Sequence, residues 1–463
     1  MPISAVSRRP SASELGNILK ISLPLALGYL GQVAIGITDS VMFGRLSPEA
    51  LGAAGLALSL YEIILTIGVG MLFPVVVLVS RARGAGRPRA VPVIVWQGLW
   101  IAAVLSVPGC AILWNLEEVL LATGQIPALA RMAGHYMDYF LWTVFPAFIS
   151  IVFIHAFTAM GRAETIAIIM WLMVGLNAVL DYVLVFGKFG APTMGIAGAG
   201  LASIIVYIAA LMLFLTPPAF HGLFRSGMAF LRLWRPKWTI LGRFVRLGWP
   251  KGLELSMKNG LYSVTALLAG RFGTQAIVAY TIAFQMAILI GFVVSMAVAD
   301  AMTARIAITV GRKDYASMWR ILNSGLLLFL FFVLPLVVLL GLFSPWAVML
   351  FVGVGPKAQS LLPIAAPLMV LVAFFVLADG LRMITGQALN GLSDMKIPAL
   401  IAVISYWGIG LPCGVMLGFP MGLGVLGLWW GLTLGMTITA AAYLIRFWWM
   451  TGHLPPDGVV RHR

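Results

Sequence analysis

Six carboxylates lie within long uncharged stretches of this chain: Asp39, Glu62, Asp181, Glu254, Asp300 and Asp379. A carboxylate in the middle of a membrane helix costs roughly 2.5–3.5 kcal/mol on insertion scales, so such a residue marks an ion or substrate path unless a partner explains it. Asn177 and Asp181 are four residues apart and share one helix face. With Asp39 and Ser203 they offer only oxygen ligands, the donor set of hard cations, and Na+ is the metal ion such a set suits. A proton could neutralise the same carboxylates.

Each of these residues also has a structural reading. Asp39 falls late in its apolar run and could be interfacial, and Asn177 and Asp181 could serve one interhelical hydrogen bond. Asp379 is followed three residues on by Arg382, a local pair, and Glu254 and Lys258 are spaced to neutralise each other on one helix face. Glu62 and Asp300 are open to either reading, Asp300 because it falls near a cytoplasmic end. His155 stands alone in its region and reads as a packed or hydrogen-bonded residue rather than a proton relay.

The elements that must position these groups are membrane helices. Of 463 residues 61% are hydrophobic and 10% charged, against roughly 25% charged in soluble domains. Twelve apolar runs are long enough to cross a hydrocarbon core of roughly 30 Å. The net charge of +15 sits in short links between runs, which the positive-inside rule explains and a nucleic-acid surface does not. Basic clusters follow the second run (Arg81, Arg83, Arg87, Arg89), the sixth (Arg225, Arg232, Arg235, Lys237) and the eighth (Arg312, Lys313), and Arg8 and Arg9 precede the first. Both termini are therefore expected in the cytoplasm. Cys110 and Cys413 lie far apart in apolar runs and read as packing residues. The first run lacks a small-residue cleavage site behind it and is expected to remain as a helix.

The chain repeats itself. At a shift of 226, Leu15-Gly16 falls on Leu241-Gly242, Lys20 on Arg246, Pro24 on Pro250, Gly44-Arg45 on Gly270-Arg271 and Ala50 on Ala276. Later echoes follow at slightly longer shifts: Gly161 with Glu164 resembles Gly391 with Asp394, and Gly195 with Gly198 resembles Gly424 with Gly427. The expected organisation is an amino-terminal six-helix lobe over 1–216, a cytoplasmic interfacial linker over 217–240 and a carboxyl-terminal six-helix lobe over 241–463. The linker mixes Phe, Leu and Trp with Arg225, Arg232, Arg235 and Lys237. Because six spans precede it, the second half re-enters in the same orientation, giving a pseudo-two-fold along the membrane normal.

Four blocks together carry a resemblance: DSVMFGRLSPEALGAAGLA with Asp39; LNAVLDYVLVFGKFGAPTMGIAGAGLA with Asn177 and Asp181; GRFGTQAIVAYTIAFQ; and FFVLADGLRMITGQALNGLSDMKIPALI with Asp379, followed by SYWGIGLP. From about Leu15 to Trp449 the chain resembles the multidrug and toxic compound extrusion transporters, close to their NorM branch. The resemblance implies two lobes facing a central V-shaped cavity in a bacterial inner membrane. It implies export of organic cations in exchange for H+ or Na+. Asp39 falls on the family's first-helix acid, in an amino-terminal cation site whose other polar positions carry Asn177, Asp181 and Ser203; the family usually has Asn and Thr at the last two. Asp379 falls on the tenth-helix acid tied to coupling and cationic substrate. One departure stands out: the family usually has Glu eight residues after the seventh-helix proline, and here that position is Lys258, with Glu254 one turn earlier. The lysine either substitutes a fixed charge for a bound Na+ or neutralises Glu254.

The cation-coupling candidates are thus Asp39, Asn177, Asp181, Ser203 and Asp379, and the substrate candidates Asp379, Glu254, Lys258, Glu62 and Asp300. No cofactor beyond the coupling ion is expected, and no catalytic residue. HExxH, GxSxG and GxxxxGK[ST] are missing from the sequence, so transport without a nucleotide site must draw on an ion gradient. Organic cations and membrane lipids are the expected partners of a monomer. A lipid-linked precursor flippase of the same superfamily would want a cavity lined by cations, whereas the embedded acids here outnumber the embedded bases. A polytopic membrane enzyme would need a convergent nucleophile or metal cluster, and the five histidines are scattered.

Overall fold

The computed structural model describes residues 9–216, 235–353 and 356–453, and all regular structure among them is helical. Twelve helices are long: α1 (Ala12–Leu46), α2 (Pro48–Gly84), α3 (Ala90–Trp114), α4 (Pro127–Met160), α5 (Ala163–Phe186), α6 (Ile196–Phe214), α7 (Trp238–Gly270), α8 (Thr274–Arg312), α9 (Tyr315–Leu342), α10 (Pro356–Gly391), α11 (Lys396–Gly418) and α12 (Val425–Gly452). All but α7 are apolar and long enough to cross a membrane. α7 has the length, 33 residues, but Arg243, Arg246, Lys251, Glu254 and Lys258 lower its mean hydropathy. The exposed large side chains fit lipid contact: Val104, Val107, Phe331, Leu267 and Ile445 are all at least 64% exposed, which no soluble surface would tolerate in such numbers. Most of the interfacial linker expected over 217–240 falls outside the described residues.

The breaks in these helices have local causes. Pro24 and Pro250 lie inside α1 and α7, where each removes a backbone donor. Phe73 and Pro74 interrupt α2. Two stretches widen to π-helical turns, Ile288–Phe292 in α8 and Ile404–Gly410 in α11, a geometry common where a helix must re-aim side chains.

The repeat read from the sequence reappears in backbone angles. Gly195 ahead of α6 has φ 57° and ψ −133°; Gly424 ahead of α12 has φ 58° and ψ −134°. Only glycine takes this conformation without strain, which otherwise costs of order 1–3 kcal/mol. Gly195→Ala and Gly424→Ala should each lower the thermal midpoint of the detergent-purified protein, whereas Gly16→Ala, in helical backbone with open space around it, should not. A midpoint unchanged in both cap variants would show that the loops relax freely.

By contacts the chain groups into two compact units. The amino-terminal unit is Leu27–Gly252, and the carboxyl-terminal unit joins Met1–Ala26 to Leu253–Arg463. Both cuts fall inside a helix, just past Pro24 in α1 and just past Pro250 in α7, 226 residues apart. Each unit is therefore completed by the first half-helix of the other sequence repeat. In the carboxyl-terminal unit, Arg305 of α8 holds Glu14 of α1 at 2.6 Å. In the amino-terminal unit, α7 packs on α2 so closely that a Cβ at Gly248 would strike the Met71 backbone and one at Gly70 the Gly252 backbone, and Lys251 sits 5.4 Å over the Phe73 ring.

Candidate ion and substrate sites

In the amino-terminal unit, α1 and α5 run parallel, as odd-numbered spans of one half must. Gly28 faces Ile166 and Ala167, Gly31 faces Met170 and Val174, and the Trp171 indole donates to the Leu27 carbonyl at 3.1 Å. The small residues let the backbones approach. Continuing by eleven residues from the Gly28–Ile166 contact brings Asp39 opposite Asn177. There the Asn177 amide donates to Asp39 Oδ1 at 3.1 Å.

One turn further on α5, Asp181 is fully buried and its carboxyl group interacts with that of Asp39. Neither Asp181 oxygen, nor the side-chain oxygen of Asn177, has a hydrogen-bond partner. Buried acceptors are nearly always paired, and two ionised carboxylates cannot donate to each other. Three orphaned acceptors beside Asp39 are what a small cation or proton would satisfy, and the all-oxygen donor set fits Na+. Ser203, on α6, is buried at 6% exposure, and it is not among the groups hydrogen-bonded to Asp39, Asn177 or Asp181.

Sequence reasoning missed the hydroxyl groups around this pair. Tyr136 of α4 and Tyr207 of α6 lie within electrostatic reach of Asp39. Tyr61 of α2 exchanges a hydrogen bond with Tyr207 and accepts one from Thr143 at 3.2 Å. Tyr61 is buried, whereas its neighbour Glu62, singled out for its charge, is exposed. His155 packs edge-on against Phe73, ring centroids 5.6 Å apart.

The carboxyl-terminal unit holds a second cluster of different character. Arg382 of α10 donates through Nε to Asp379 Oδ1 at 2.8 Å, and its Nη1 lies 3.7 Å from Glu254 Oε1 of α7. Lys258 Nζ lies 3.2 Å from Asp379 Oδ2 and 5.6 Å over the Tyr262 ring. Tyr443 of α12 donates to the Pro398 carbonyl at 2.9 Å and lies 3.4 Å from Glu254 Oε1. The π turn of α11 brings the buried Tyr406 beside Arg382 and Glu254. It also turns the Trp407 indole onto the Met257 carbonyl of α7 at 3.2 Å. The local Asp379–Arg382 pair read from the spacing is present. The lysine at position 258, however, crosses to Asp379 on α10, while Glu254, one turn earlier, faces Arg382.

Asp300 meets a further set of polar groups. Buried on α8, it accepts from Gln387 Nε2 at 3.1 Å, within a network that includes Thr303 and Asn390.

The comparisons with known proteins agree with this repeated architecture. The MatE family pattern matches residues 24–183 and 250–416, so the two matches begin at Pro24 and Pro250. The chain is 33% identical over 96% of both chains to a "Probable multidrug resistance protein NorM" of Bradyrhizobium diazoefficiens. It is 32% identical over 94% of both chains to a "Multidrug resistance protein NorM" of Burkholderia vietnamiensis. A solved structure described as the outward-facing conformation of a multidrug resistance MATE family transporter superposes with a TM-score of 0.85 at 19% identity, covering 96% of this chain and 97% of that one. A transporter from Pyrococcus furiosus, described by a reverse polarity of its binding pocket, matches with a TM-score of 0.85 at 19% identity over 95% and 96% of the two chains. The fold and its paired polar clusters define a multi-pass membrane transporter. The chain belongs to the MatE family of multidrug and toxic compound extrusion transporters, in its NorM-like branch.

Proposed function

We propose that this protein is a secondary active exporter of organic cations, driven by inward movement of H+ or Na+ through alternating access. The observation that carries the reading is the pairing of Asp39 with the fully buried Asp181, beside the orphaned acceptor oxygens of Asp181 and Asn177. Two facing carboxylates with neutral partners attract positive charge strongly in a medium where water does not screen them. A coupling ion bound there removes the attraction that holds a cationic, partly apolar drug, so ion entry and drug exit are linked through one electrostatic balance. Transport follows if the ion favours one arrangement of the protein over the other. The site would sit in a bacterial inner membrane with both termini in the cytoplasm, in a protein that works as a monomer.

The test is efflux of a fluorescent organic cation from proteoliposomes, first under a pH gradient alone and then under a Na+ gradient alone. Efflux driven by either gradient supports the reading and identifies the ion. If neither moves the dye in vesicles shown to contain folded protein, the reading fails and transport of a lipid-linked precursor becomes the assay to run.

A further inference from the structure

The two clusters differ in charge. Asp39 and Asp181 are two acids that meet each other and Asn177 and form no ion pair with a base among the described residues, whereas Glu254 and Asp379 share their cluster with two bases, Lys258 and Arg382. The two bases do different things within that cluster. Arg382 braces both acids, with a nitrogen on each, and its side chain is only 5% exposed. Lys258 meets one carboxylate oxygen and the face of one aromatic ring, at the end of a flexible stem. A carboxylate oxygen beside a ring face is also what binds a small monovalent cation or an organic ammonium.

We infer that the Lys258 ammonium is a tethered cation occupying the cation-binding position of the carboxyl-terminal cluster, so that this cluster takes up no Na+ and the coupling ion is left to Asp39 and Asp181. Removing the ammonium strips Asp379 Oδ2 of the cation that meets it, and a carboxylate oxygen left unmet within a membrane helix is costly enough to draw a cation in from solution. The lysine thereby sets ion specificity and stoichiometry without itself binding the ion. This deepens the transport reading, and its test is independent of whether transport occurs.

The experiment is equilibrium binding of radioactive Na+ to the purified full chain in detergent at neutral pH, where the lysine carries its charge. The background is Asp39→Asn with Asp181→Asn, which silences the amino-terminal pair. The background is expected to bind no Na+, and adding Lys258→Met should create about one site per chain. Lys258→Arg, which keeps the charge, should create none, and Lys258→Met combined with Asp379→Asn should lose the new site. Lys258→Gln serves as a second charge-removing variant should the methionine protein not purify folded. The inference is overturned if the charge-removing variants, folded by size-exclusion and thermal criteria, bind no Na+. It is equally overturned if the background already binds Na+ in a manner abolished by Asp379→Asn. Because the readout is binding, a failed efflux assay leaves this result intact, and the reverse also holds.

Discussion

Asp181→Asn should reduce gradient-driven efflux of an organic cation by at least about tenfold while leaving the yield and thermal midpoint of the folded protein at or above those of the wild type. The asymmetry follows from the geometry. Asp181 is fully buried and faces Asp39, with no well-formed hydrogen bond to either oxygen. In the folded state its carboxylate is a liability, and an amide in its place could donate to Asp39. What is lost is the negative charge that distinguishes the ion-bound from the ion-free protein. A ligand with no preference between two states shifts neither, however tightly it binds, and a tenfold loss corresponds to about 1.4 kcal/mol of that preference. Asp39→Asn should act in the same direction. Wild-type efflux in both variants would remove these carboxylates from any coupling role.

Arg382→Leu should behave in the opposite way, lowering stability severely whatever happens to transport. Its guanidinium reaches both Asp379 and Glu254, and truncation takes a buried cation away from two carboxylates at once. Breaking a buried ion pair from one side typically costs about 3–5 kcal/mol. Arg382→Lys should recover only part of the loss, because a single ammonium cannot span the Nε contact at 2.8 Å and the Nη1 contact at 3.7 Å together. The check is the thermal midpoint in detergent, with Arg382→Leu/Asp379→Asn predicted to regain stability by removing the stranded charge. If the double variant were no more stable than the single one, the charge balance would not be what holds this cluster.

The sequence made the helices and the repeat readable because each apolar run is long and the glycines and prolines punctuate it at matching places, as Gly195 and Gly424 show. It also made Asn177 and Asp181 readable as neighbours, since helical spacing is a local property. What it could not show was which residue on another helix each would meet. Lys258 seemed spaced for Glu254, but the choice between a partner one turn away and Asp379 on α10 depends on helix rotation. Tyr61, Tyr136 and Tyr207 escaped notice for a related reason. A tyrosine in an apolar run carries no cost that advertises it, and only tertiary packing shows that Tyr136 and Tyr207 come near Asp39 while Tyr61 meets Tyr207.

The cuts between the compact units, just past Pro24 and Pro250, bear on how such a chain could have originated. In a dimer of half-length ancestors with six helices each, the same arrangement would have had each copy lend its first half-helix to the other, as in a domain swap. Joining the copies end to end made the trade intramolecular. It follows that halves produced separately and severed between 216 and 238 should each be incomplete, and should become stable only when they meet.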